Sequence, residues 1–335
     1  MRISRISMIG NELSLAGLIM NQNIRLFDQN YLTFHNSFDG TREQFEQEPN
    51  TQITISNLKG YPQSTLTSGL LGQAFIDGAD VCIPLDADEF LPFNDKKQLE
   101  NFLEPYIGNY DYLKISWRNC VPKEFPISHN LDNLKYAHPY SNIQKVIVFR
   151  SAFEKDEKLE LSQGNHLISS KVELKGIHSK ETYLLHIPFR SQLHYAQKIL
   201  QGAAVMFDEN EHDLSDQWID GAKQPFLTQE DLMRVALDYG EAICKEHNHL
   251  YDQNRIFEDE DIFQDSGDII SFNLVMQKYW SRINNMLASV PDTSFNALEI
   301  KQIKRRLAKF NSWRLIVLRI KDFVSKIRRN HDEKQ

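Results

Sequence analysis

Two carboxylates, Asp86 and Asp88, stand at the end of an apolar run, Val81-Cys-Ile-Pro-Leu85, with Glu89, Phe90 and Leu91 directly after them. Side chains at i and i+2 of an extended chain share a face, so both carboxylates can reach one hard cation. Magnesium keeps several waters, takes one or two carboxylates, and completes its shell with substrate phosphates. The pair therefore points to a cation–diphosphate site. Spacing alone says little, because about one Asp-x-Asp arises by chance in a chain this long. A helix start or an Asp-rich turn would carry the same letters. Position adds weight: open α/β sheets bind ligands outside the carboxyl ends of their strands.

Other candidates cluster at similar places. Asn11-Glu12 follows the first apolar run, and His35-Asn-Ser37-Phe-Asp39-Gly-Thr41 follows the second. A polar turn leading into a helix offers N–H groups to an anion; an Asx turn with Thr41 as helix cap is the plainer alternative. His166, in Gly164-Asn165-His166, and His186, ahead of Pro188, each suit a metal shell or the acceptor side, since imidazole serves both. Arg190 can pair with a phosphate through its planar fork, or make a surface salt bridge. Trp117 and Arg118, after the fifth strand, can stack on or clamp a ligand, and a core Trp fits equally. Spacing does not assign a catalytic base; Glu89, Glu124 and His166 all qualify, and His166 is preferred.

The elements that must position these residues alternate. Strands are predicted at Ile3–Ile9, Asn30–Phe34, Gln52–Ile55, Val81–Leu85 and Tyr112–Trp117, with helices opening at Glu12 and covering Thr41–Gln47, Ser64–Ile76 and Asp95–Leu103. Repeated βαβ spacing predicts an α/β fold with a mostly parallel, Rossmann-like central sheet flanked by helices. From Asn119 the pattern becomes mixed, with strands at Lys145–Phe149, Leu167–Leu174 and Tyr183–His186. A helix follows over Ser191–Phe207. We expect a unit over 1–207 in two halves, 1–118 with the strand-end candidates and 119–207 carrying the acceptor side of a cleft. Residues 208–335 should form a helical extension: helices at Glu230–His247, Ser271–Ala288 and 297–329, and a surface loop over Phe257–Asp268.

The chain has 335 residues, 41% hydrophobic and 25% charged, an ordinary soluble composition. Three scattered cysteines, Cys82, Cys120 and Cys244, argue against a disulfide framework or zinc cluster and for a reducing cytoplasm. No secretory signal or membrane-spanning run is visible. The net charge of −8 is uneven: 301–330 hold eleven Lys/Arg against one acid, Asp322. Helical apolar spacing there, at Ile316, Ile320, Phe323 and Ile327, suits an anionic membrane surface at the inner face of the cell. Docking onto the acidic body is the alternative. No nucleic-acid motif accompanies the charge.

The strings I-S-M-I-G-N-E (6–12), F-D-Q-N-Y-L-T-F-H-N-S-F-D-G-T (27–41), Y-P-Q-S (61–64), P-L-D-A-D-E-F-L (84–91), G-N-H (164–166) and H-I-P-F-R-S (186–191) occur in this order. Together they resemble bacterial family 2 glycosyltransferases of GT-A fold, in the branch whose metal motif reads D-A-D-E-F. The resemblance covers about residues 3–205. It implies sugar transfer, mostly with inversion, from a nucleotide-sugar donor to a glycan or lipid-linked acceptor, as in surface polysaccharide synthesis. Asp86, Asp88 and His186 would hold Mn²⁺ or Mg²⁺. Asn11, Glu12, His35, Ser37, Asp39, Gln63 and Asp86 would surround the nucleotide sugar. Asn165 joins Trp117, Arg118 and Arg190 as acceptor or phosphate contacts, and His166 is the expected base. The chain departs from the pattern at Gly10, where Lys is common, and at Phe34 and Phe38, where Asp and Thr are usual. Those departures motivate an alternative: a catalytically impaired sugar-nucleotide-binding or scaffold protein. A nucleotidyltransferase would need a Gly-rich basic loop after the first strand, which Ile9-Gly10-Asn11-Glu12 does not supply.

Overall fold

The computed structural model describes residues 1–122, 124–126, 136–137, 142–207, 221, 225–243, 251–252 and 265–289. Four strands form the parallel half of the central sheet in the order β3 (Thr51–Ser56), β2 (Gln29–His35), β1 (Ile3–Ile9) and β4 (Val81–Pro84). The crossovers carry α1 (Ala16–Leu26), α2 (Thr41–Phe45) and α3 (Gln63–Ile76). Every residue of β1 is buried, as a strand covered on both faces requires.

Beyond β4 the sheet turns mixed. β5 (Glu89–Phe90) follows at once, α4 (Lys96–Leu103) comes next, and β6 (Tyr112–Val121) adds a long strand. β7 (Tyr136–Ala137) pairs with its end, and β8 (Gln144–Phe149) lies antiparallel between β4 and β6. After α5 (Arg150–Lys155) comes a two-residue hairpin of β9 (Glu160–Leu161) and β10 (Ile168–Ser169). β11 (Gly176–His186) then runs parallel to β6 and pairs its last two residues with β5, Leu185 with Phe90 and His186 with Glu89. That pairing sets His186 against the carboxylates at the end of β4. Three helices follow, α6 (Gln192–Phe207), α7 (Gln229–Ile243) and α8 (Asp265–Ser289), and β12 (Tyr251–Asp252) lies on β7.

Side-chain alternation sorts two cores. On one face Ile9, Leu32 and Phe34 pack with Leu15, Leu18 and Ile19, while Ile83 and Leu113 pack with Leu99 and Leu103. On the other, Ile6, Tyr31, Cys82 and Val146 meet Leu71 and Phe75 of α3. A third cluster joins Ala196, Leu200 and Ala203 of α6 to Phe272, Val275 and Tyr279 of α8, with Phe38 against it. No helix among the described residues is long and apolar enough to cross a membrane.

Three expectations are corrected. The strand expected at Leu167–Leu174 is limited to Ile168–Ser169, because the following Ser170 and Lys171 turn to bond Asp156 instead. β11 starts at Gly176, earlier than Tyr183; its first half is polar, and Gly176 seats over the Tyr112 ring, where a Cβ would lie 2.0 Å from Cζ. α8 starts at Asp265, inside the segment expected as surface loop. Asp268 is buried there, and Gly267 packs on the backbone of Ser14, 2.6 Å from where its Cβ would be. Residues 257–264, the predicted helix at 297–329 and the basic stretch 301–330 lie outside the described residues.

Candidate functional site

The ends of β1, β2 and β4 converge as the sequence predicted. Asn11 adopts left-handed φ (57°) and is buried. Its N–H donates to Ser37 Oγ (3.2 Å) and its Nδ2 to the Asn36 carbonyl (3.2 Å), while its Oδ1 accepts the Phe38 N–H (3.1 Å). Asn11 is thus a latch between the loops after β1 and β2. Gly10 is explained by the same closeness: a Cβ there would lie 2.6 Å from the His35 carbonyl oxygen. Phe34 points into the core, 5.5 Å from the Phe45 ring, so this position does not face the site.

Asp39 braces the second loop. Its Oδ1 accepts the Thr41 N–H (2.9 Å) and hydroxyl (2.5 Å); its Oδ2 accepts the Leu13 N–H (3.2 Å) and the Ser271 hydroxyl of α8. His35 faces the loop after β3, with Nε2 on the Gly60 carbonyl (3.0 Å) and Nδ1 on Ser56 Oγ (3.3 Å). Burial lowers its pKa, so it is a neutral loop anchor.

The two carboxylates of the motif part company. Asp86 Oδ1 accepts Gln63 Nε2 (2.6 Å) and Asn165 Nδ2 (3.3 Å), and Oδ2 meets Lys145 Nζ at 2.6 Å. Lys145 is 1% exposed and also lies 2.9 Å from Glu89, which itself accepts the Asp86 N–H (2.8 Å). Burial and the nearby Asp86 push the Glu89 carboxyl upward despite Lys145. Asn165, at φ 56°, is fixed by Thr67 Oγ1 (2.9 Å).

Asp88 faces the other way, toward β11 and α6. Its Oδ2 lies 3.5 Å from His186 Nε2 and 3.2 Å from Lys198 Nζ. Burial opposes its charge, but Lys198 and His186 outweigh that and hold the carboxyl well below the usual carboxylate range. His186 Nδ1 donates to Asn119 Oδ1 (2.7 Å), which leaves Nε2 turned to Asp88. An acceptor on the far ring nitrogen of this kind fixes ring orientation and tautomer in metal-ligating histidines. The His186 ring stacks on Trp117 (4.1 Å, 19°), and the His166 ring meets Trp117 edge-on at 5.5 Å. Arg118, next on β6, faces away and stacks over Tyr183 (4.2 Å).

His166 donates Nδ1–H to the Gln144 carbonyl (2.9 Å), so Nε2 carries the lone pair. Burial and Lys145 lower its pKa. Its Nε2 lies over Gly164, at φ 73°, where a Cβ would be 2.4 Å away. Arg190 is 1% exposed; its Nη2 donates to Glu12 (2.6 Å), and its Nε lies 3.7 Å from Asp268. Burial pushes Glu12 up to about 7; Arg190 offsets part of this and Asp88 adds to it.

Among the described residues, no group of three or more His, Cys, Asp and Glu side chains is assembled to hold a metal. Asp88 with His186 offers two donors. A pinned imidazole facing a buried, ionised carboxylate fits a hydrated divalent ion whose other ligands come from substrate oxygens. Sequence reasoning missed Lys145, Lys198, Asn119 and Asp268. The signal for the first was a lone cation within the apolar run Gln144-Lys-Val-Ile-Val-Phe149; Lys198 carried no signal beyond lying one helical turn from His194.

No protein-family model matches the chain, and no curated protein does. Among solved structures it is similar to S. aureus TarS 1-349, at 14% identity and TM-score 0.37, over 84% of this chain and 92% of that one. It is similar to HddC from Yersinia pseudotuberculosis at 13% identity and TM-score 0.33, over 56% and 95%. A third similarity is to glucosyl-3-phosphoglycerate synthase from Mycobacterium tuberculosis, crystallised with Mn²⁺ and UDP, at 13% identity and TM-score 0.26, over 35% and 44%.

Proposed function

We propose that this protein transfers a sugar from a nucleotide-sugar donor to a glycan or lipid-linked acceptor, using Mn²⁺ or Mg²⁺ held by Asp88 and His186. The observation that supports this most is the pair itself: an ionised Asp88 at the carboxyl end of a parallel strand, facing an imidazole pinned by Asn119. Bound there, the cation would act as a Lewis acid and neutralise charge on the leaving nucleoside diphosphate. Asn11 and Asp39 hold the loops that would cradle base and ribose, and Asp86, braced by Lys145, Gln63 and Asn165, would orient the donor. His166 presents a neutral Nε2 near pH 7, suited to taking a proton from an acceptor hydroxyl. With the donor on one face and a base on the other, the transfer would invert the anomeric centre. Trp117 would shield that chemistry from water, and Arg190 would keep Glu12 in place.

The functional unit in this proposal is 1–207, working at the cytoplasmic face of the membrane in surface polysaccharide synthesis. The basic stretch 301–330 would give contact with anionic lipid. Two experiments test this. Nucleotide sugars screened for thermal stabilisation with Mn²⁺ should reveal a donor whose turnover disappears in Asp88→Ala; no stabilisation by any of them would reject the activity. Truncation of 297–335 should move the protein from the membrane fraction to the soluble one, and an unchanged distribution would reject the lipid contact.

A further inference from the structure

A cleft of about 370 Å³ opens beside the donor loops, between residues 57–60 after β3 and the far ends of α6 and α8. Asn36, Lys59, Gly60, Lys278, Tyr279 and Arg282 line it, and no carboxylate is among its lining residues. That is unusual placement for positive charge in a chain of net charge −8. Lys278 and Arg282 are four residues apart on α8, where like charges repel. Lys278 Nζ rests over the Phe38 ring at 4.3 Å, and the Arg282 guanidinium over Tyr279 at 5.7 Å. Among the described residues no carboxylate pairs with Lys278. Burial and Arg282 both lower its pKa, so a bound anion would relieve the charge there. The volume falls in the range of small-molecule sites, and the lining comes from residues 57–60 and from Lys278, Tyr279 and Arg282 of α8, with Asn36 at the end of β2 on its near side.

We propose that this cleft binds the phosphate group of a small phosphorylated molecule at Lys59, Lys278 and Arg282, as a site separate from the Asp88–His186 pole. Its occupant would be a second substrate or an effector rather than the donor. The site stands whether or not the protein transfers sugars.

The test is a calorimetric titration of pyrophosphate into the full chain at low salt with EDTA present, which silences any metal–diphosphate binding. Saturable binding is expected, weakened by added salt and reduced about tenfold or more in the Lys278→Ala/Arg282→Ala double variant. Asp88→Ala should bind pyrophosphate as the parent does. Lys278→Gln/Arg282→Gln provides the same charge loss should the alanine pair fail to fold. Absence of saturable binding, or unchanged affinity in both double variants, would overturn the proposal. So would loss of pyrophosphate binding in Asp88→Ala, because the three cations would then belong to the donor site.

Discussion

Asp86 is ringed by fixed partners: Gln63 from α3, Asn165 from the turn before β10, and the buried Lys145 from β8. Asp88, two residues on, meets His186 and a lysine whose side chain is 36% exposed, at 3.5 and 3.2 Å. One carboxylate is held by three partners, among them a buried ammonium; the other faces a pinned imidazole and one partly exposed ammonium that can turn away. Strand geometry alone would have given the pair one shared role. The contrast arises because β8 carries a cation into the Asp86 side, while β5 pairs with β11 and turns Asp88 toward β11. A motif can thus divide its labour, with the first carboxylate building the site and the second left to exchange partners.

The largest break in that comparison should come from Lys145→Ala. It leaves Asp86 and Glu89 with no neighbouring ammonium in a buried setting, and removal of one partner from such a group costs about 3–5 kcal/mol. Urea unfolding at pH 7 would show it; a cost below about 1 kcal/mol would mean the Asp86 side is no more fixed than the Asp88 side. Asp88→Asn should do the reverse. Its loss of stability should be smaller than that of Lys145→Ala, since the amide keeps the shape of the carboxylate and Lys198 can turn to water. Turnover should fall on the order of a hundredfold or more, from lost cation stabilisation of the leaving group. Equal losses of stability in the two variants would erase the distinction.

Much of the framework was legible before this contrast was visible. β1 to β4 lie within one residue of their predicted bounds, because apolar runs broken by Gly- and Asp-rich turns leave few other assignments. Asp88 and His186 could be singled out in the sequence, but that they face each other depends on the β5–β11 pairing, a contact between residues about a hundred positions apart. Lys145 was only the first residue of a predicted strand; its meaning needs Asp86 and Glu89, which only the fold brings near. Asp268 read as part of an acidic loop because charge density marks solvent exposure. Its burial follows from the guanidinium of Arg190 and the hydroxyl of Ser191 (2.6 Å), both remote in sequence. The Gly10 and Phe34 departures likewise change meaning: one permits the close approach of two strand ends, the other faces the core.

Glu12 sharpens the Asp88 side through pH. Its carboxyl titrates near 7 in the folded protein against an ordinary 4.5. The folded state therefore holds this proton after the unfolded chain has released it. Stability from this group is complete below about pH 4.5 and is lost as pH rises to about 7, up to roughly 3 kcal/mol in all. Glu12→Gln should flatten that part of the stability–pH curve. An unchanged slope between pH 4.5 and 7 would show that Arg190 keeps Glu12 ionised throughout, making it as fixed as Asp86.

Lys198 should give the smallest and most discriminating effect. Its ammonium lies on the Asp88 oxygen that a divalent ion would use, so ion and lysine compete for one position. A partly exposed pair of this kind is worth about 0.2–1 kcal/mol. Lys198→Ala should leave unfolding nearly unchanged and tighten Mn²⁺ binding by roughly two- to fivefold, measured without nucleotide by the loss of the free-ion electron resonance signal. The same substitution should raise the KM for the donor if the displaced ammonium turns to the diphosphate, separating its two roles. Weaker Mn²⁺ binding would reverse the interpretation, because Lys198 would then be holding Asp88 in the geometry the ion needs. Asp88 would in that case be braced by Lys198 much as Asp86 is by Lys145, and the two halves of the motif would differ only in exposure.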